Sequence, residues 1–73
     1  MAIDFTSLVS TDVKRQMLEA SIQQLIQQGY QHEINRRVAQ VLDSEDGVTI
    51  ADQYLTQVEA QLQVHQEELD ALN

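Results

Sequence analysis

Over the last third of the chain, apolar residues recur with a single period. Ala51, Leu55, Val58, Leu62, His65, Leu69 and Leu72 are spaced by four and three residues in strict alternation, and only His65 is not apolar. A seven-residue repeat places such positions along one edge of an α-helix. The pattern predicts a helix over about 50–72 with a narrow apolar seam, flanked by Gln and Glu. A seam of this kind suits a helix pair or coiled coil. Contact with another chain through it is the expectation, and packing on an earlier helix of the same chain is the alternative. Ile50 and Tyr54 widen the apolar edge at the start of this helix, so that end is expected to meet more than one neighbour.

A second helical pattern covers about 11–42. Ser10 or Thr11 can cap its start, and Asp12 lies in the first turn, where a negative charge suits the helix dipole. Leu18, Ile22, Leu25, Ile26 and Gly29 fall within about 100° of one another on a helical wheel. Beyond Gly29 the apolar positions change face: Tyr30, Ile34, Val38 and Val41 cluster roughly 140° further round the cylinder. Either Gly29 ends the helix as a left-handed cap and a second short helix follows, or one helix runs through with two halves facing different neighbours. A glycine inside a helix costs only about 1 kcal/mol. Gln27, Gln28, Gln31 and Glu33 all suit a helix, which favours a continuous or kinked one.

Between the two patterns, Asp43-Ser44-Glu45-Asp46-Gly47-Val48 is short, acidic and contains a glycine, which predicts the turn at 43–48. Thr49 is then the expected cap of the last helix, with Asp52 in the position three residues on. Residues 1–9 read as an arm or loose turn whose Phe5 packs on the helices. The fold class expected is all-α: an antiparallel helical hairpin over residues 10–73, preceded by the arm.

Composition sharpens this picture. The 73 residues include no Cys, no Pro, no Trp, two Gly and twelve Gln. Missing cysteine excludes disulfides and metal sites built on thiolates. A domain of this size buries only about 60% of its unfolded surface, so it needs a staple. With disulfides excluded, helix packing and self-association remain, and a homodimer or docking on another protein is expected to complete the core. The chain starts without a basic, apolar leader, and no stretch approaches the roughly 18 apolar residues of a membrane helix. A cytoplasmic protein with no membrane contact is the expectation.

Charge is distributed unevenly. The formal net charge is −8. Residues 1–37 hold four acids and four bases, whereas residues 38–73 hold eight acids and no base. Asp43, Glu45, Asp46, Asp52, Glu59, Glu67 and Asp70 are the candidate positions for facing a basic protein surface. Direct binding of nucleic acid is not expected, because the charge adds to that of the phosphates.

Chemistry-bearing motifs are incomplete. His32-Glu33-Ile34-Asn35-Arg36 begins like a zinc-protease helix but has Arg36 where the second histidine belongs. His65 and Glu68 have the spacing used in di-metal bundles, yet the first helix offers only Glu19 and Glu33, on unrelated faces. Aligning Gly47 with the glycine of a calcium loop puts Leu42 at the first ligand position. The chain has too few glycines for a phosphate-binding loop. Its serines, Ser7, Ser10, Ser21 and Ser44, have only two histidines to serve as base. No catalytic residue, cofactor or metal site is therefore assigned, and a non-enzyme is expected.

The functional expectation is a protein–protein interaction module: an adaptor, assembly factor or regulatory subunit. Its candidate interface comprises Leu55, Val58, Leu62, His65 and Leu69 on the last helix, and Tyr30, Ile34, Arg37 and Val41 on the first. The alternatives are an acidic inhibitor that imitates nucleic acid in a basic site, and a structural component of a larger assembly such as a phage particle.

Overall fold

The computed structural model describes residues 2–73 and contains three helices: α1 (Phe5–Leu8), α2 (Thr11–Val41) and α3 (Glu45–Ala71). The long pair α2 and α3 run antiparallel as a hairpin, the architecture the periodicities predict. The molecule measures 49 × 26 × 14 Å. Its long dimension is the length of α2, since 31 helical residues rise about 46 Å.

Each helix starts on a polar side chain. Asp4 accepts from the Thr6 amide at 3.1 Å and opens the single turn α1. Ser10, in extended conformation, accepts from Val13 N at 3.3 Å and opens α2. The arm thus contains one helical turn, and Phe5 remains 70% exposed at the open end of the hairpin. Met1, the first residue of the expected arm, lies outside the described residues.

α2 is unbroken at Gly29, whose φ is not positive. The continuous reading holds, and no second helix begins at Tyr30. A Cβ placed on Gly29 would lie 3.6 Å from Val58 Cγ1, an ordinary van der Waals contact. Glycine there is compatible with the packing and is not required by it.

The connection is shorter than the sequence suggests, which corrects the expected turn at 43–48 and the expected cap at Thr49. α2 ends at Val41, with Leu42 as its C-cap. Asp43 adopts a φ of 55°, the left-handed conformation. Its amide donates to the Gln40 carbonyl at 3.1 Å, and the Ser44 amide donates to the Ala39 carbonyl at 2.8 Å. Those two bonds form a Schellman motif, with Asp43 in the place usually held by glycine. Ser44 also starts α3, because its Oγ accepts from the Gly47 amide at 3.1 Å. Glu45 and Asp46, read above as turn residues, instead fill the first turn of α3, where acids oppose the positive end of the dipole. Asp52 lies in the second turn of α3 and takes no part in capping.

Gly47, rather than marking a loop, sits inside α3 directly against Ala39 of α2. A Cβ there would stand 2.9 Å from the Ala39 Cβ and 3.0 Å from Ser44 Oγ. Ala39, Gly47 and Ala51 bring the two backbones close together at the tip. Further from it, Leu25 and Val58 complete the small set of buried residues.

On α3 the residues that are not fully exposed are Gly47, Val48 and the heptad Ala51, Leu55, Val58, Leu62, His65 and Leu69. On α2 they include Leu18, Ile22, Leu25, Gly29, His32, Arg36 and Ala39, again spaced by four and three. The hairpin is therefore two facing heptad lines, and the seam of α3 is covered by α2 of the same chain. Packing of this seam on an earlier helix of the same chain, the alternative raised above, is thus present in the hairpin.

The two glycines should respond oppositely to alanine. Gly29→Ala is expected to stabilise the hairpin by up to about 1 kcal/mol through helix propensity and a less flexible unfolded chain. Gly47→Ala is expected to lose about 1–2 kcal/mol, because backbone and Ala39 must move apart. Urea titrations followed by circular dichroism measure both. A Gly47→Ala variant more stable than the parent would show that the tip is not tightly packed.

Candidate functional site

The candidate interface residues fall into two groups that the structure places on different surfaces. Leu55, Val58, Leu62, His65 and Leu69 line the intrachain seam. Within it, the His65 Nδ1 is 2.6 Å from the Gln61 carbonyl one turn earlier. A carbonyl only accepts, so the Nδ1 carries the proton in this contact. His65 is thus tied to its own helix, and with Leu25 it lines a small cleft between α2 and α3.

Tyr30, Ile34, Arg37 and Val41 stand on the opposite side of α2, away from α3. Ile26, assigned above to the first stripe, is 50% exposed and joins them. Ile26, Tyr30, Ile34 and Val38 form a row at four-residue intervals, ending in Val41 and Leu42. Tyr30 is 60%, Val38 52% and Val41 77% exposed. At the end nearest the turn, Ile34, Arg37, Val38, Val41 and Leu42 outline a shallow groove of about 300 Å³. Single apolar side chains are scattered over most protein surfaces, whereas these form a contiguous row. The apolar change of face after Gly29 therefore has a simple geometric meaning. The α3-facing line continues past it as His32, Arg36 and Ala39, and the aliphatic residues leave for the outer face.

Two contacts between the helices replace aliphatic packing where that line is polar. The His32 and Tyr54 rings stack with centroids 4.9 Å apart and planes within 8° of parallel. One turn further on, Arg36 Nε donates to Asp52 Oδ1 at 2.7 Å. These two pairs fix the register along one stretch of the hairpin. They also assign His32, the opening residue of the incomplete zinc-protease pattern, to packing against Tyr54.

Among the acidic positions proposed to face a partner, Asp52 is engaged by Arg36 and Asp43 serves the turn. Glu45 and Asp46 are exposed at the start of α3. Further along the helix, Glu67 accepts from Gln63 Nε2 at 3.2 Å and Asp70 from Gln66 Nε2 at 3.1 Å, while Glu59 is exposed. The acids of α3 are densest at its two ends, with Asp52 and Glu59 between, and do not converge on one point. Among the described residues, no group of three His, Asp or Glu side chains is placed to hold a metal ion.

A different apolar groove, of about 460 Å³, lies at the open end of the hairpin between Phe5, Val9, Met17, Leu18 and Leu72. Phe5 forms one wall. Phe5 is thus beside the helices, as its apolar character leads one to expect, whereas the groove depends on the turn of α1 and has no signal in the hydrophobic pattern.

A double-mutant cycle on Arg36→Ala and Asp52→Ala is expected to give a coupling of about 0.5 kcal/mol, because both side chains are substantially exposed. The coupling should shrink in 1 M salt. A coupling above about 2 kcal/mol would mean that the pair is shielded from water.

Helix α3 cannot cover the outer row on α2, and the described chain has nothing else to place there. No protein-family model matches the chain, and no curated protein or solved structure is detectably similar to it, so its residues alone define what this surface offers.

Proposed function

We propose that this protein is a small acidic protein–protein interaction module, an adaptor, assembly factor or regulatory subunit without a reaction of its own. It acts by burying the outer face of α2 against another protein surface. The observation that supports this is the row Ile26, Tyr30, Ile34, Val38 and Val41, exposed on the side of α2 that faces away from α3. Tyr and Arg are over-represented in protein contacts, and Arg37 flanks the row beside Tyr30 and Ile34.

The acidity of α3 favours a second reading, in which the protein occupies the basic site of a nucleic-acid-binding protein. α3 carries seven acids and no base. Two features weaken the imitation of a phosphate row: Asp52 is paired with Arg36, and the remaining acids gather at opposite ends of the helix with Glu59 alone between them. Binding that collapses with added salt and is competed by DNA or RNA would favour this second reading.

The first reading is tested by Val38→Glu. The side chain is half-exposed, so circular dichroism is expected to remain that of the folded hairpin. Association, measured as the mass from light scattering alone or in the presence of a purified partner, is expected to fall at least tenfold in affinity. A folded Val38→Glu variant that associates as the parent does would remove the outer face of α2 from the contact.

A further inference from the structure

We infer that the outer face of α2 packs against the same face of a second copy of this chain, antiparallel about a two-fold axis, with Glu33 of each copy facing Arg37 of the other. This rests on reading that face as an interaction surface, and it names the occupant.

The first argument is area. The chain exposes 5857 Å². A globular monomer of its size exposes about 4,600 Å², which leaves an excess of roughly 1,300 Å². Its radius of gyration is 16.4 Å, against about 11 Å for a globular chain of this length. A standard contact buries about 800 Å² on each partner, so the excess is large enough to supply one.

Charge selects both the occupant and the face. α3 carries seven acids and no base, whereas α2 carries three acids and four bases. Two copies joined through α3 would set seven negative charges against seven. Joined through α2, they meet across a nearly neutral surface, and the two acidic helices are kept on the outer sides of the assembly. A partner chosen only for basic charge would be drawn to α3, not to the apolar row.

The flank of the row is complementary to itself under a two-fold. Glu33 and Arg37 lie one turn apart on the same side of it. The row from Tyr30 to Val41 has its midpoint between residues 35 and 36. In an antiparallel pair centred there, like flanks face each other, and Glu33 comes within about one residue, or 1.5 Å along the axis, of the level of Arg37 in the second copy. Among the described residues the ion pairs are Asp12–Arg15 and Arg36–Asp52, so neither Glu33 nor Arg37 is engaged within its own chain.

Sedimentation equilibrium at low salt tests the arrangement with Glu33→Arg, Arg37→Glu, their equimolar mixture and the double variant. The parent is expected to be a dimer. Each single variant should dimerise about tenfold more weakly, because like charges then oppose each other twice across the axis. Mixing the two single variants pairs one basic flank with one acidic flank, and should restore parental affinity as a heterodimer. The double variant should restore it as a homodimer, and tests the arrangement even if a single variant folds poorly. A folded parent that stays monomeric at millimolar concentration would overturn the second copy as occupant, yet leave a different protein on the same face. A dimer indifferent to both reversals, or a mixture no tighter than its components, would overturn the two-fold geometry. If Val38→Glu also left such a dimer intact, the outer face itself would be excluded.

Discussion

Ser44 and the residues it touches determine where everything else lies. Its amide closes the end of α2 on the Ala39 carbonyl, and its hydroxyl opens α3 on the Gly47 amide. One residue thus satisfies groups at two helix termini that would otherwise need water or separate caps. The reversal takes place over three residues because Asp43 accepts a left-handed backbone. Gly47 then allows the first turn of α3 to lie directly against Ala39. A reversal this tight leaves little choice of register. From it follow the placement of Gly29 against Val58, the stacking of His32 on Tyr54 and the reach of Arg36 to Asp52.

Most of the hairpin was legible because its strongest signal is geometric. The heptad from Ala51 to Leu72 identifies α3, and the run of good helix formers around Gly29 favours continuity. The turn was misread because glycine has two roles. Gly47 sits in an acidic cluster and looks like a loop residue, but its missing side chain serves helix–helix contact. Ser44 followed by Glu45 and Asp46 is itself a helix-start signature, outweighed in the reading by the glycine. The contact line on α2 was half legible. Its first part is Leu and Ile, whereas its second part is Gly29, His32, Arg36 and Ala39, which a hydrophobicity pattern does not register. His and Arg can lay apolar stems and ring faces along a neighbour while their polar ends stay wet. The outer row was visible as a change of face, but which of the two faces would be covered depends on the partner helix and not on α2 alone.

The two long helices divide the work of the surface. α3 has one apolar edge, already used within the chain, and a strongly solvated remainder. α2 has two apolar edges on nearly opposite sides, and is close to neutral. A helix apolar on two sides belongs between two layers. The contact proposed for the outer edge would make α2 an inner layer and α3 an outer one.

The tip also sets an order of events when the chain folds. Ala39 and Gly47 are separated by only a few residues, whereas Leu18 and Leu69 at the open end are separated by most of the chain. Closing the small loop costs the least entropy, and each further pair along the seam then joins ends that are already close. With no proline in the chain, no slow isomerisation interrupts this zipping. Folding by this route runs from Asp43 outward, and opening runs the other way, so the end holding Phe5 and Leu72 orders last and loosens first.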